Sequence, residues 1–137
     1  MVKQYHRLKK SPYREVMGEK NDCSVMAVAL ICKVTYEQAH NFMKEAGRDH
    51  GEAATVQAIL DVIKGEGFTV LKIQEPRQPN GYRYTPKTVP RHFKNGRYLC
   101  TTRDHAFALI DGKVEDWAHN RRYYIKTMYS ITGGRHG

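Results

Sequence analysis

Ten consecutive residues constrain this chain more than any others: Cys23-Ser24-Val25-Met26-Ala27-Val28-Ala29-Leu30-Ile31-Cys32. The run is apolar on almost every side, and a helix of that kind has to be covered all round. A fully buried strand is the competing reading, but the length and the Ala and Met content favour helix. Asp22 is placed to cap it. The remainder of a 137-residue chain is enough to wrap one such core without disulfide staples.

The flanking pattern supplies the cover. Thr35-Tyr36-Glu37-Gln38 fits a capping box, and Ala39, Phe42, Met43 and Ala46 follow at helical spacing until Gly47. Residues 55–64 predict a third helix with Val56, Ile59, Leu60 and Ile63 on one stripe, ended by Gly65 and Gly67. The period then changes. Strands are predicted over 68–73, 97–102, 105–110, 113–117 and 123–130, with a long loop over 75–89 and a helical turn over 90–94. Asp111-Gly112 fits a two-residue hairpin turn. Helices followed by strands define an α+β chain with an antiparallel sheet. Residues 1–20 are expected as a basic, irregular N-terminal arm, 21–131 as a single domain, and 132–137 as a flexible Gly-rich tail.

Charge narrows the partners. The net charge is +9, and no acidic residue falls between Glu75 and Asp104. That segment, Arg77 to Arg103, interleaves Arg83, Lys87, Arg91, Lys94 and Arg97 with Tyr82, Tyr84, Phe93 and Tyr98. A solvated face is one reading of such a run, and a surface for nucleic acid or an acidic protein is the other. No apolar stretch is long enough to span a membrane, and none follows the basic N-terminus as in a secretory signal, so a cytoplasmic location is expected. Cys23, Cys32 and Cys100 are odd in number and lack metal-finger spacing, so free thiols are expected and neither a metal nor a cofactor is called for.

Three residues form a candidate site. Cys23 opens the apolar helix, and a helix N-terminus or a nearby imidazolium activates a thiol as a nucleophile. Free cysteine is also among the most buried residue types, so packing is the alternative. Cys32 and Cys100 are read as packing. His105 opens the strand Ala106-Phe107-Ala108-Leu109-Ile110 and is the candidate base. With a two-residue turn at Asp111-Gly112, His105 faces Ala118, and Asp116 becomes its diagonal neighbour on the same face, able to orient the ring. Glu115 points to the other face. Asn120 has the parity of Asp116 and is the reserve third member. Trp117 is assigned to the core, with shielding of the pair as the alternative. A zinc site built from Cys23, Cys100 and His105 is a further alternative.

These motifs resemble a known family. Asn21-Asp22-Cys23-Ser24 at the head of an apolar helix resembles the nucleophile helix of papain-like cysteine peptidases. The stretch Asp104-His105-Ala106-Phe107-Ala108-Leu109-Ile110-Asp111-Gly112, with Glu115-Asp116-Trp117 after it, is similar to the His strand and acidic hairpin of the bacteriocin-leader-processing branch and of small phage and bacterial relatives. The resemblance covers roughly 21–46 and 98–117. It implies a papain-like fold, a Cys23–His105–Asp116 triad, and hydrolysis of a protein or peptide substrate through a thioester. The family places a Gln six residues before the cysteine to bind the oxyanion. This chain has Met17 there, and Asn21 is the candidate replacement donor. A non-catalytic member acting as a basic binding module is the alternative that this departure implies.

Overall fold

In a computed structural model, which describes residues 3–74 and 76–134, five helices precede a five-stranded antiparallel sheet. The helices are α1 (Lys3–Lys9), α2 (Pro12–Met17), α3 (Cys23–Cys32), α4 (Tyr36–Glu45) and α5 (Val56–Gly65). The strands are β1 (Phe68–Ile73), β2 (Arg97–Thr101), β3 (Ala106–Ile110), β4 (Lys113–Glu115) and β5 (Thr127–Gly133), in the sheet order β1-β5-β2-β3-β4. None of the described helices is long and apolar enough to cross a membrane.

The apolar run is the central helix. Nine of the ten residues of α3, Ser24 to Cys32, are buried. The helix lies on β3 and β2 and is covered by α1, α4 and α5. Each Val, Leu, Ile or Met side chain enclosed in this way contributes about 1.5–3 kcal/mol. The helix therefore needs no amphipathic stripe, because every side meets protein. The amphipathic α4 and α5 close it off, and both start as the sequence predicts. Thr35 forms the reciprocal capping box with Gln38, and the Thr55 side chain accepts from the Ala58 amide.

The middle of the sheet is buried on both faces, whereas the edge strand β1 is not. Ala106, Ala108 and Ile110 of β3 join the helical core. Phe107 and Leu109 point the other way, into a second core with Cys100, Met128 and Ile125. This alternation explains why β3 reads as a continuous apolar run. The second face is covered by irregular chain, with Tyr84 and Val89 pressed into it. The predicted long loop is thus a packing layer, with a short 3₁₀ turn at Val89–Arg91.

The β3–β4 hairpin sets the register that the site depends on. Ile110 pairs with Lys113, and Ala108 with Glu115. Asp111 and Gly112 both have positive φ, 48° and 79°, as a type I′ turn requires. The Asp111 carboxylate accepts the Gly96 amide at 3.0 Å, fixing the turn to the start of β2.

Three expectations are corrected. The arm is not irregular: it forms α1 and α2, and Tyr5 is buried against the core, only 5% exposed. Its amide donates to the Glu115 carboxylate at 3.1 Å. The last strand lies later than 123–130 and reaches Gly133, so the expected tail begins inside the sheet. Residues 135–137 of that tail lie outside the described residues. Finally, β4 stops at Glu115 rather than Trp117, and the chain turns away at Asp116.

Candidate active site

Cys23 is the first residue of α3 and is part-exposed, whereas Cys32 and Cys100 are buried. The expected cap is absent. The Asp22 carboxylate instead accepts from Arg14 Nε at 2.7 Å and from the Tyr36 hydroxyl at 2.8 Å. That choice ties α2, α3 and α4 together just before Cys23. It also leaves the amides of the first turn of α3 without a side-chain cap. A helix N-terminus in that state favours negative charge beside it.

His105 sits on the turn between β2 and β3, where its carbonyl accepts the Thr102 amide at 2.8 Å. Its Nε2–H donates to Asp116 Oδ2 at 2.7 Å. The same oxygen accepts the Ala118 amide at 2.9 Å, so the turn after β4 holds the carboxylate in place. With Nε2 engaged by an acceptor, Nδ1 is the ring nitrogen left for the thiol. Cys23 lines the same cleft as this ring, and its influence favours the charged form of the imidazole. Burial works against the imidazolium, but the Asp116 hydrogen bond and then the Cys23 hydrogen bond outweigh it, and the His105 pKa is raised from 6.5 to about 9. The pairing of Asp116 with His105 predicted from hairpin parity is thus realised, although the strand ends two residues early, at Glu115.

Trp117 is not core. It is 48% exposed and lies across the His105 ring, centroids 4.7 Å apart. The Arg121 guanidinium stands 6.0 Å from its centroid. Cys23, His105, Asp116 and Trp117 line one open cleft of about 840 Å³. Tyr5 and Tyr123 border it too, and burial first, then Asp116, pushes each phenol up to about 12. Both keep their protons.

Other expected residues fall elsewhere. Asn21 borders the cleft, but its Nδ2 donates to the Gly51 carbonyl at 3.1 Å, so the side chain serves as a tether. Asn120 is exposed, and the side chain hydrogen-bonded to His105 is Asp116, which takes the place of third member. Met17 ends α2 and does not line the cleft. Cys100 is fully buried in the second core, which rules out its sharing a zinc ion with Cys23 and His105. Burial pushes the Cys32 thiol up to about 12 and raises that of Cys100 as well, so Cys23 is the reactive candidate among the three.

A second polar cluster supports the loop before Cys23. Arg48 grips Glu19 with both nitrogens, Nη1 to Oε2 at 2.8 Å and Nη2 to Oε1 at 3.0 Å, and His40 Nε2 meets the same Oε2. Glu19, His40 and His50 have the spacing of a metal site. The guanidinium, however, already occupies both carboxylate oxygens and adds positive charge where a cation would sit, so the cluster is an ion-paired anchor. Burial alone would raise the Glu19 pKa, yet Arg48 and then His40 hold it down at about 2. Nothing in the local sequence around Glu19, His40 or Arg48 marks this anchor, because its members are brought together only by the fold. Tyr5 carried a weak sign in its i, i+3 spacing from Leu8 within a basic stretch.

No family model, curated protein or solved structure matches the chain. The functional reading therefore stands on the geometry of the site itself.

Proposed function

We propose that the protein is a cysteine peptidase or amidase of papain-like architecture, working through a thioester intermediate. One observation carries the reading: a part-exposed thiol on the first turn of a buried helix shares one open cleft with an imidazole that a buried carboxylate holds through Nε2. Those are the relations that nucleophile, base and orienting acid require.

The steps follow from the groups present. Before substrate binds, His105 Nδ1 already holds the proton given up by Cys23, and the raised basicity of the ring keeps it there. The sulfur attacks the substrate carbonyl. The oxyanion forms beside the uncapped amides of the first turn of α3, with the Cys23 N–H as the nearest donor in sequence. The imidazolium then gives its proton to the leaving amine, and the thioester remains on Cys23. Water, deprotonated by the freed imidazole, attacks the thioester, the acid leaves, and the imidazolium and thiolate are restored. Asp116 holds the ring's tautomer and steadies its positive charge throughout.

A binding module without turnover is the second reading, favoured by Met17 at the position where the resemblance calls for an amide. One assay separates the two. The purified chain is incubated with a degenerate peptide library and cleavage is read by mass spectrometry. Cleavage by the wild type, absent in Cys23→Ala and reduced about 10²–10⁴-fold in His105→Ala, supports the hydrolase. Cleavage that survives Cys23→Ala, or no cleavage at all, contradicts it.

A further inference from the structure

The cleft does not end at the thiol. Its wall carries Arg83, Arg103 and Lys126. Arg83 and Lys126 also line a second, adjoining groove of about 250 Å³, which adds Lys72 and Arg77. These five cations are exposed. None of them makes an ion pair among the described residues. The acids nearby are mostly spent: Asp22 on Arg14, and Asp116 on His105. Asp104 is the one acid of the cleft without a cation partner among the described residues.

The track is held by local structure, not by chance rotamers alone. Arg77 and Arg83 face one another in an antiparallel bridge across the Asn80-Gly81 turn. The turn is closed by Gln78 N to Tyr82 O at 2.8 Å and by Tyr82 N to Asn80 Oδ1 at 3.0 Å. Lys126 is fixed by its amide, which donates to the Thr101 carbonyl at 2.8 Å. Unpaired like charges held side by side repel one another, and an anionic partner relieves that repulsion.

We propose that this track binds the acidic flank of an extended polypeptide substrate, whose carboxylates lie along Arg103, Arg83, Lys126, Arg77 and Lys72 while its amide reaches Cys23. The proposal rests on the hydrolase reading for the second half of that statement only. A polypeptide is favoured over nucleic acid by the second groove. Its apolar lining is Ile73, Pro76 and Ile125, with no aromatic ring on which bases would stack; the exposed rings Trp117, Tyr123 and Tyr124 stand in the first cleft beside the thiol. Arg is well suited to paired recognition of carboxylates.

The test separates binding from turnover. Cys23→Ala protein is titrated by fluorescence polarisation with a Glu-rich peptide, its Gln counterpart, and a single-stranded RNA of equal charge. The Glu peptide is expected to bind at least about tenfold more tightly than the Gln peptide, with the advantage shrinking as salt rises. Arg83→Gln combined with Lys126→Gln should remove most of that advantage; both residues are exposed, so folding is not at stake. Equal affinity for Glu and Gln peptides, or an unchanged advantage in the double variant, overturns the proposal. So does RNA binding about tenfold tighter than the Glu peptide, which would make the track a nucleic-acid surface. Wild-type cleavage of the same peptides is read separately. If Glu peptides bind selectively but are not cut, the track stands and the hydrolase reading falls. If Gln peptides are cut as fast as Glu peptides, the hydrolase stands and the track falls.

Discussion

His105 balances two opposing effects. Its ring is largely enclosed, which disfavours charge, yet Asp116 and Cys23 together keep it protonated up to about pH 9. An NMR titration should place its midpoint near 9, and Asp116→Asn should move it back toward 6.5, since the leading favourable partner is gone. The same shift ties the ring to stability. A pKa raised on folding adds stability that is complete below the unfolded value of 6.5 and is lost as pH climbs through about 9. Denaturant unfolding should therefore show wild type ahead of His105→Gln below 6.5, with the gap narrowing toward 9 and beyond. A gap that widens with pH would mean the ring is buried neutral. Asp116 was readable in advance because a two-residue turn fixes parity, and parity alone decides which of Glu115 and Asp116 faces the histidine. Asn21 is held in place by one N–H of its amide on the Gly51 carbonyl, thirty residues away. Local sequence holds no trace of that partner.

At the level of elements, α3 was legible because a run without a polar side has to be interior and its length and Ala and Met content favour helix over a buried strand, and α4 and α5 because their caps and stripes are local features. The N-terminal helices were not. Both are short, and α1 is basic and exposes most of its surface, so its own pattern does not specify it. It is held by Tyr5 and by the Glu115 carboxylate, both of them tertiary contacts. The loop ahead of α3 is similarly held from a distance, by Arg48 on Glu19, with Arg48 reaching on to the Lys20 and Asn21 carbonyls. Arg48→Ala strands a buried carboxylate, and removing one partner of a buried pair costs about 3–5 kcal/mol. Urea unfolding should show a loss of that order. A loss under about 1 kcal/mol would mean that the anchor behaves as a surface pair. Because Glu19 is held near 2 against its usual 4.5, its contribution is present above 4.5 and fades as pH falls toward 2.

For the whole molecule, the site lies where three elements distant in sequence meet. The head of α3 supplies the thiol, the β3–β4 hairpin supplies the imidazole and carboxylate, and α1 closes the wall with Tyr5. Deleting residues 1–10 removes that wall and leaves Glu115, 2% exposed, without its amide donor. The truncated chain should unfold at lower denaturant, and its His105 midpoint should shift as water reaches the cleft. A truncation with wild-type stability would show that α1 is an appendage. The two faces of the sheet also explain what composition could not forecast. The loop over 75–89 looked like solvent-facing chain because of its prolines and arginines, but Tyr84 and Val89 make it the lid of the second core, while its arginines turn outward to form the cationic track.

The pairing of Cys23 with His105 is tested most directly by the rate of thiol alkylation, site by site, with iodoacetamide and peptide mass spectrometry. Cys23 should be modified well ahead of the two buried thiols, Cys32 and Cys100, and His105→Gln should slow it by about tenfold or more while leaving the other two unchanged. Modification of all three cysteines at similar rates, or a Cys23 rate indifferent to His105→Gln, would contradict the account.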